Sequence, residues 1–209
     1  LWTPDGNLLH NYKNGKSSIN GYLEDYCFVI DAFIALYEVT LYENWLQNAK
    51  QLTDYCFEHF YDEQKGFFAF TSNLDDALIT THFETEDNVI PASNSVMAKN
   101  MYQLSIYFNN SYYEKISEQM LHLVIPEIDY PSAFSNWLDL GLNYSGENRE
   151  LAICSAEAKT NCQEINGLYI PNIVLAGTKK TSTLPFLKNR YTNKKDLFYI
   201  CQNKTCQMP

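Results

Sequence analysis

The chain has 209 residues, 45% of them hydrophobic and 19% charged, a balance that suits one packed domain with at most a small appendage and excludes intrinsic disorder. Lys and Arg number 15 against 25 Asp and Glu, so the formal net charge is -10, and a surface of that sign repels phosphate backbones and anionic headgroups. Nucleic-acid and membrane partners are therefore not expected, and no apolar run reaches the roughly 18 residues of a transmembrane helix.

Residues 1–21 are polar and read as a loop, with turn-forming Pro4 and Asp5-Gly6. A first helix is expected from about Tyr22, because Leu23, Tyr26, Cys27, Ile30, Phe33, Ile34 and Tyr37 recur at helical spacing. Glu24, Asp31 and Glu38 form an acidic stripe beside that face. A second helix follows on Tyr42, Trp45, Leu46, Ala49, Leu52, Cys56, Phe57 and Phe60, and the short link makes the pair an antiparallel hairpin. Residues 62–66 read as a turn and 66–71 as a short aromatic strand. A long polar connection spans 72–90, with a returning strand expected over 78–83.

Pro91 precedes a third helix on Val96, Met97, Met101, Leu104 and Phe108, with Ser93 or Asn94 as its expected cap. Ser111 to Glu114 reads as a capping box opening a fourth helix on Ile116, Met120, Leu121 and Val124. Pro126 and Pro131 break the pattern, and Ser132 is the expected cap of a fifth helix carrying Phe134, Trp137, Leu138 and Leu142. After Gly146 the text changes. Three short strands are expected over 150–155, 172–177 and 197–202, with a helix over 156–164.

Six Cys do not make the dense disulfide framework of a small secreted domain. Cys27 and Cys56 fall on apolar helix faces and read as buried hydrophobes. Cys201 and Cys206 form a lone C-x4-C pair, too few ligands for zinc, so no metal and no cofactor are expected. Packing or tying down the C-terminus is the first reading of that pair, and redox exchange the second. Cysteine usage points to a reducing, cytoplasmic setting. The start lacks Met and any signal-peptide pattern, which reads as a boundary inside a longer protein.

Several segments resemble one family in the right order: Gly21-Tyr22-Leu23-Glu24-Asp25-Tyr26, Leu36-Tyr37-Glu38, Asp62 through Gly66-Phe67-Phe68, Asp87-Asn88-Val89-Ile90-Pro91-Ala92-Ser93-Asn94-Ser95, and Cys201-Gln202-Asn203-Lys204-Thr205-Cys206-Gln207-Met208-Pro209. The family is that of thioredoxin-domain-containing proteins related to spermatogenesis-associated thioredoxin-like proteins. The resemblance implies an N-terminal thioredoxin-like domain followed by a six-hairpin, (α/α)6-toroid body similar to glycosidases and N-acylglucosamine 2-epimerases, of which this chain would be the last third. Two departures stand out. Thr80-Thr81-His82-Phe83-Glu84 replaces a usually basic connection, and Ala92 stands where the family tends to have Ser.

The expected fold is therefore mainly α: antiparallel helical hairpins forming part of an (α/α)6 toroid over 1–147, with a short aromatic β-hairpin, and a small α/β appendage over 148–209. In such an array the first and third helices start on one rim. That rim gathers Glu24 and Asp25 with Glu86 and Asp87. Convergent carboxylates are what glycoside chemistry needs, so Asp25 and Asp87 are the candidate acid and base, with Glu24, Glu86 and Asn94 as candidate ligand contacts. The structural alternative for each is complementing the free N–H groups and dipole of a helix start. Trp137 reads as core, with a sugar platform as its alternative. No His pair suited to epimerase chemistry is evident among His10, His59, His82 and His122. Two functions stay open: a sugar-binding or carbohydrate-active module taking a small carbohydrate, and a non-catalytic interaction domain serving an N-terminal thioredoxin-like domain of the same polypeptide.

Overall fold

The computed structural model describes residues 2–3, 6–76, 79–192 and 195–207. Pro4 and Asp5 of the expected first turn, Leu78 of the expected returning strand, and the terminal Met208-Pro209 lie outside them. The protein is mainly helical. Helices α1 (Leu23–Thr40) and α2 (Asn44–His59) pack along each other, as do α3 (Ser93–Phe108) and α4 (Ser111–Val124), and α1 also packs on α3. The apolar positions anticipated for α1 are the buried ones: Leu23, Tyr26, Cys27, Ile30, Ile34 and Tyr37, with Phe33 half-buried. Tyr42, placed on the buried face of the second helix by its spacing, is instead 67% exposed, because α2 starts two residues later. Leu41 closes α1 in the left-handed region at φ 60, donating its N–H to the Tyr37 carbonyl at 2.7 Å.

Residues 61–68 correct one expectation. The aromatic strand β2 (Phe67–Phe68) pairs antiparallel with β1 (Tyr61–Asp62), which lies upstream of it. Residues 79–83 form no strand; only the Phe70 N–H reaches the His82 carbonyl, at 2.9 Å. The Asp62 carboxylate accepts from the Gln64 and Lys65 N–H groups, closing a tight turn, and Gly66 at φ 73 returns the chain. Periodicity cannot choose between two partners for a two-residue strand.

Capping differs from expectation at three helices. The N-cap of α3 is Ala92, which has no side-chain acceptor. Helix α4 is capped one residue early, by Asn110, whose side chain accepts from the Tyr112 and Tyr113 N–H groups. Ser132 falls in a 3-10 turn, Pro131–Phe134, and α5 (Ser135–Leu142) begins after it.

The C-terminal part is a four-stranded mixed sheet in the order β4-β3-β5-β6. Strands β3 (Arg149–Cys154) and β4 (Ile173–Thr178) are parallel, joined through α6 (Ala158–Asn166). Strand β5 (Leu197–Gln202) runs antiparallel to β3 and turns through Asn203 and Lys204, both at positive φ, into β6 (Thr205–Cys206). The parallel pair carries apolar runs, Leu151 to Cys154 in β3 and Ile173 to Ala176 in β4, buried along nearly their whole length, as expected for strands covered on both faces. One hydrophobic core joins the helices to the sheet, taking Ala152, Cys154, Val174, Ala176 and Cys201 along with the helical residues. Cys27 and Cys56 are wholly buried in it, and Cys201 and Cys206 are joined by a disulfide across the β5–β6 pair. No helix among the described residues is long and apolar enough to cross a membrane.

Candidate functional site

The starts of α1, α3 and α5 share one rim. A helix start leaves four N–H groups without intrahelical partners, so a rim of helix starts draws in acceptors. The carboxylates singled out in the sequence answer that demand to different degrees.

Asp25 is the third residue of α1. Its Oδ2 accepts the Tyr22 N–H at 2.9 Å, while its own N–H donates to the Tyr22 carbonyl at 3.0 Å. The same carboxylate lies 2.9 and 3.1 Å from His10 Nδ1, a residue of the preceding loop. Asp87 is engaged more completely. Its Oδ1 accepts from the Ala92 N–H and the Ser95 hydroxyl, both at 2.9 Å, and its Oδ2 accepts from the Asn136 N–H at 2.9 Å and the Ser135 hydroxyl at 3.3 Å. One carboxylate thus closes the starts of both α3 and α5. Glu84 completes α3: its Oε2 accepts the Ser93 N–H at 2.9 Å. Two loop carboxylates do the work of the side-chain cap that Ala92 lacks.

Asn94 lies beneath the rim and is wholly buried. Its Oδ1 accepts the Phe68 N–H and its Nδ2 donates to the Phe68 carbonyl, each at 2.9 Å, and Nδ2 also reaches the Glu84 carbonyl at 3.0 Å. A primary amide is a peptide analogue, so Asn94 pairs with β2 as a neighbouring strand would. Trp137 is also fully buried, its indole N–H donating to the Thr85 carbonyl at 2.8 Å, so its faces take no part in a surface platform. Glu86 is exposed.

Glu24 differs from its neighbours. Burial, and then the nearby negative charges of Asp25 and Glu84, raise its carboxyl above the ordinary glutamate value, against an opposing pull from His10. It stands at the head of a shallow groove of ≈ 750 Å³ that runs along α1 over Phe28, Val29, Ala32, Phe33 and Leu36 to Ile90. Beside it, four rings form a ladder: His10 edge-on to Tyr22 at 5.0 Å, Tyr22 stacked on Phe70 at 5.0 Å, and Phe70 against His82 at 6.1 Å. Sequence reasoning passed over Glu84 and His10. The signal for Glu84 was its place shortly before a helix whose N-cap is Ala; His10 carried none, since it is brought in by the fold of a loop. No group of three or more His, Cys, Asp or Glu among the described residues is placed to hold a metal ion.

No protein-family model matches the chain. It is similar to spermatogenesis-associated protein 20 of Rattus norvegicus, 28% identical over 209 residues, and to the protein of the same name from Homo sapiens, 27% identical over 209 residues. The Mus musculus protein is 28% identical over 212 residues. Each match covers 90% of this chain and 26% of the relative, so the chain spans about a quarter of the length of the curated relatives it matches.

Proposed function

We propose that this chain is an interaction module of a larger polypeptide, and that the outer face of α1 seats an apolar helix from elsewhere in that polypeptide. The observation that carries this reading is the groove along α1. The inner face of the helix is buried in the core, yet Leu36 and Val39 on its outer face are 40% and 50% exposed, and neighbouring Ile90 48%. A contiguous apolar strip on a helix marks a surface that another element covers. Ala32 at its middle allows close helix approach, and Glu24 at its head favours a partner helix with Lys or Arg at the matching end. A larger parent accords with relatives about four times as long, and an (α/α)6 toroid with the thioredoxin-like domain fused before it is the architecture that would supply such a helix. In this reading 1–147 carries the docking face and 148–209 is the α/β region against it. The test is co-expression of the chain with the remainder of its parent, followed by size exclusion. Ala32→Arg with Leu36→Glu is expected to abolish co-elution while leaving the melting temperature of the chain alone within a degree or two. Co-elution unchanged by both substitutions would sink the proposal.

A second reading, a small-carbohydrate site at the rim, is supported by the ring ladder beside Glu24. Sugar rings stack on aromatic faces, and a carboxyl with a raised pKa can donate a proton to a glycosidic oxygen. Here Glu24 is the acid, Asp25 its charged neighbour, and Asp87 a residue that positions α3. A thermal-shift panel of mono- and disaccharides tests it: a shift that Glu24→Gln removes supports the site, and no shift with any sugar removes it. The cytoplasmic setting proposed from cysteine usage is at odds with the closed Cys201–Cys206 bridge, which a reducing compartment would keep open; mass spectrometry of the non-reduced native protein decides, an intact bridge counting against that setting.

A further inference from the structure

Where α1 ends, the β3-α6-β4 unit makes a cavity of ≈ 690 Å³ at the carboxyl end of β4. Its wall is the segment 178–183 that leaves β4, together with Lys159 of α6 and residues 40–44 that link α1 to α2. Three observations converge on it. First, charge: Lys159, Lys179 and Lys180 all line the cavity, in a chain with a formal net charge of -10, and Glu43 is the one carboxylate in the lining. Glu43 is engaged by Ser182, another residue of the lining, whose hydroxyl it accepts at 2.6 Å. Among the described residues none of the three ammonium groups forms an ion pair. Second, hydroxyls: Thr181 and Thr183 add donors to the lining, the Thr40 hydroxyl being spent on the Leu36 carbonyl at 2.6 Å, while the buried Thr178 holds the turn by accepting the Lys180 N–H at 3.2 Å. Third, topology. In a parallel βαβ unit ligands sit outside the carboxyl ends of the strands, where the crossover helix begins. Lys159 stands in the first turn of α6 and Asn44 is the first residue of α2, so two helix starts border the cavity; neither N-cap residue, Glu43 or Glu157, caps its helix with its own side chain, and at α6 the Ser155 hydroxyl accepts the Glu157 N–H at 2.9 Å.

We propose that this cavity binds a phosphate-bearing small molecule. The three lysines neutralise the phosphate oxygens, the hydroxyls hydrogen-bond them, and the two helix starts add positive potential. Tyr42, 67% exposed on the cavity wall, offers a flat face to the organic part of the ligand. The site is independent of the α1 groove and stands or falls separately from it.

Amide-resonance titration of the folded chain tests the proposal, with inorganic pyrophosphate, ADP and glucose 6-phosphate as probes and sodium chloride at matched ionic strength as control. The expected result is saturable shifts confined to residues 178–183, 159 and 40–44, with a midpoint below about 1 mM, weakened at least about tenfold by Lys159→Gln, Lys179→Gln and Lys180→Gln together. Far-UV circular dichroism of that triple variant checks that it is folded, and three surface substitutions leave the core untouched. Tighter binding of ADP or glucose 6-phosphate than of pyrophosphate identifies the organic part; equal binding of all three supports recognition of the phosphate alone. Shifts no larger than those from chloride, or shifts that survive the triple substitution, overturn the proposal.

Discussion

Replacing Glu38 by Gln removes a titration buried at the meeting point of four elements. Glu38 was expected on an acidic stripe along one side of α1, and the packing of α3, α6 and β4 against that end of the helix draws it inward. The Tyr107 hydroxyl lies 2.9 Å from both Glu38 Oε1 and the Leu175 carbonyl, with a single proton to give. Two acceptors share one donor unless the glutamate brings a proton of its own. Burial therefore raises its carboxyl from 4.5 to about 7, and Asp31 on the same helix adds to the rise, while the hydrogen bonds from Tyr107 and at Leu175 restrain it. The unfolded chain titrates near the ordinary value and the folded chain near 7. Below about pH 4.5 both states hold the proton, and above 7 both have lost it. Between these limits the folded state binds more protons, so stability falls as pH rises. The full span corresponds to roughly 3 kcal/mol; allowing for partial exposure, about 1–2 kcal/mol is expected. Gln keeps the shape and cannot ionise. Urea unfolding at pH 4.5, 6 and 8 should show Glu38→Gln near wild type at the acid end and more stable by that amount at pH 8. Other carboxyls with raised values, Glu24, Asp31 and Glu150, are present in both proteins, and apart from the coupling of Asp31 to Glu38 their contributions cancel in the difference. A difference that stays constant across this range would refute the reasoning.

Asp87→Ala removes the acceptor shared by α3 and α5, and two caps at about 1 kcal/mol each put the loss near 2–3 kcal/mol in chemical denaturation; Asp25→Ala, which serves one helix, should cost about half as much. Asn94→Leu leaves the Phe68 N–H and carbonyl buried without partners and should cost about 2–4 kcal/mol, seen as a drop in melting temperature. Gly177→Ala places a methyl 2.7 Å from Cys162 Sγ and 2.9 Å from a Leu41 methyl, so overpacking of about 1–3 kcal/mol is expected, together with resonance shifts in the 40–44 link.

The helices of this protein and three of its strands were legible because their cause is local. Six of the seven apolar positions spaced along α1 are buried, and the strands expected over 150–155, 172–177 and 197–202 lie within a residue of β3, β4 and β5. The small β-hairpin was misassigned because two-residue strands carry no period, and their pairing is decided by which backbone groups the turn at Gly66 brings together. The acidic rim was legible only as composition. Glu24, Asp25, Asp87 and Asn94 were recognisable as polar residues at helix starts, but what else engages each is set by the fold: Asp87 reaches Asn136, Asn94 pairs with Phe68, and Asp25, which caps locally through Tyr22, also meets His10 of the preceding loop. Glu38 and the lysines around the β4 cavity gave no local sign of their setting. Their environments are made where α1, α3, α6 and β4 meet and where the 40–44 link passes the segment 178–183, contacts between residues 68 to 139 positions apart. Periodicity reports which face of an element is apolar; burial and charge at a point in space depend on what the other elements place there, and that was decided only by the tertiary fold.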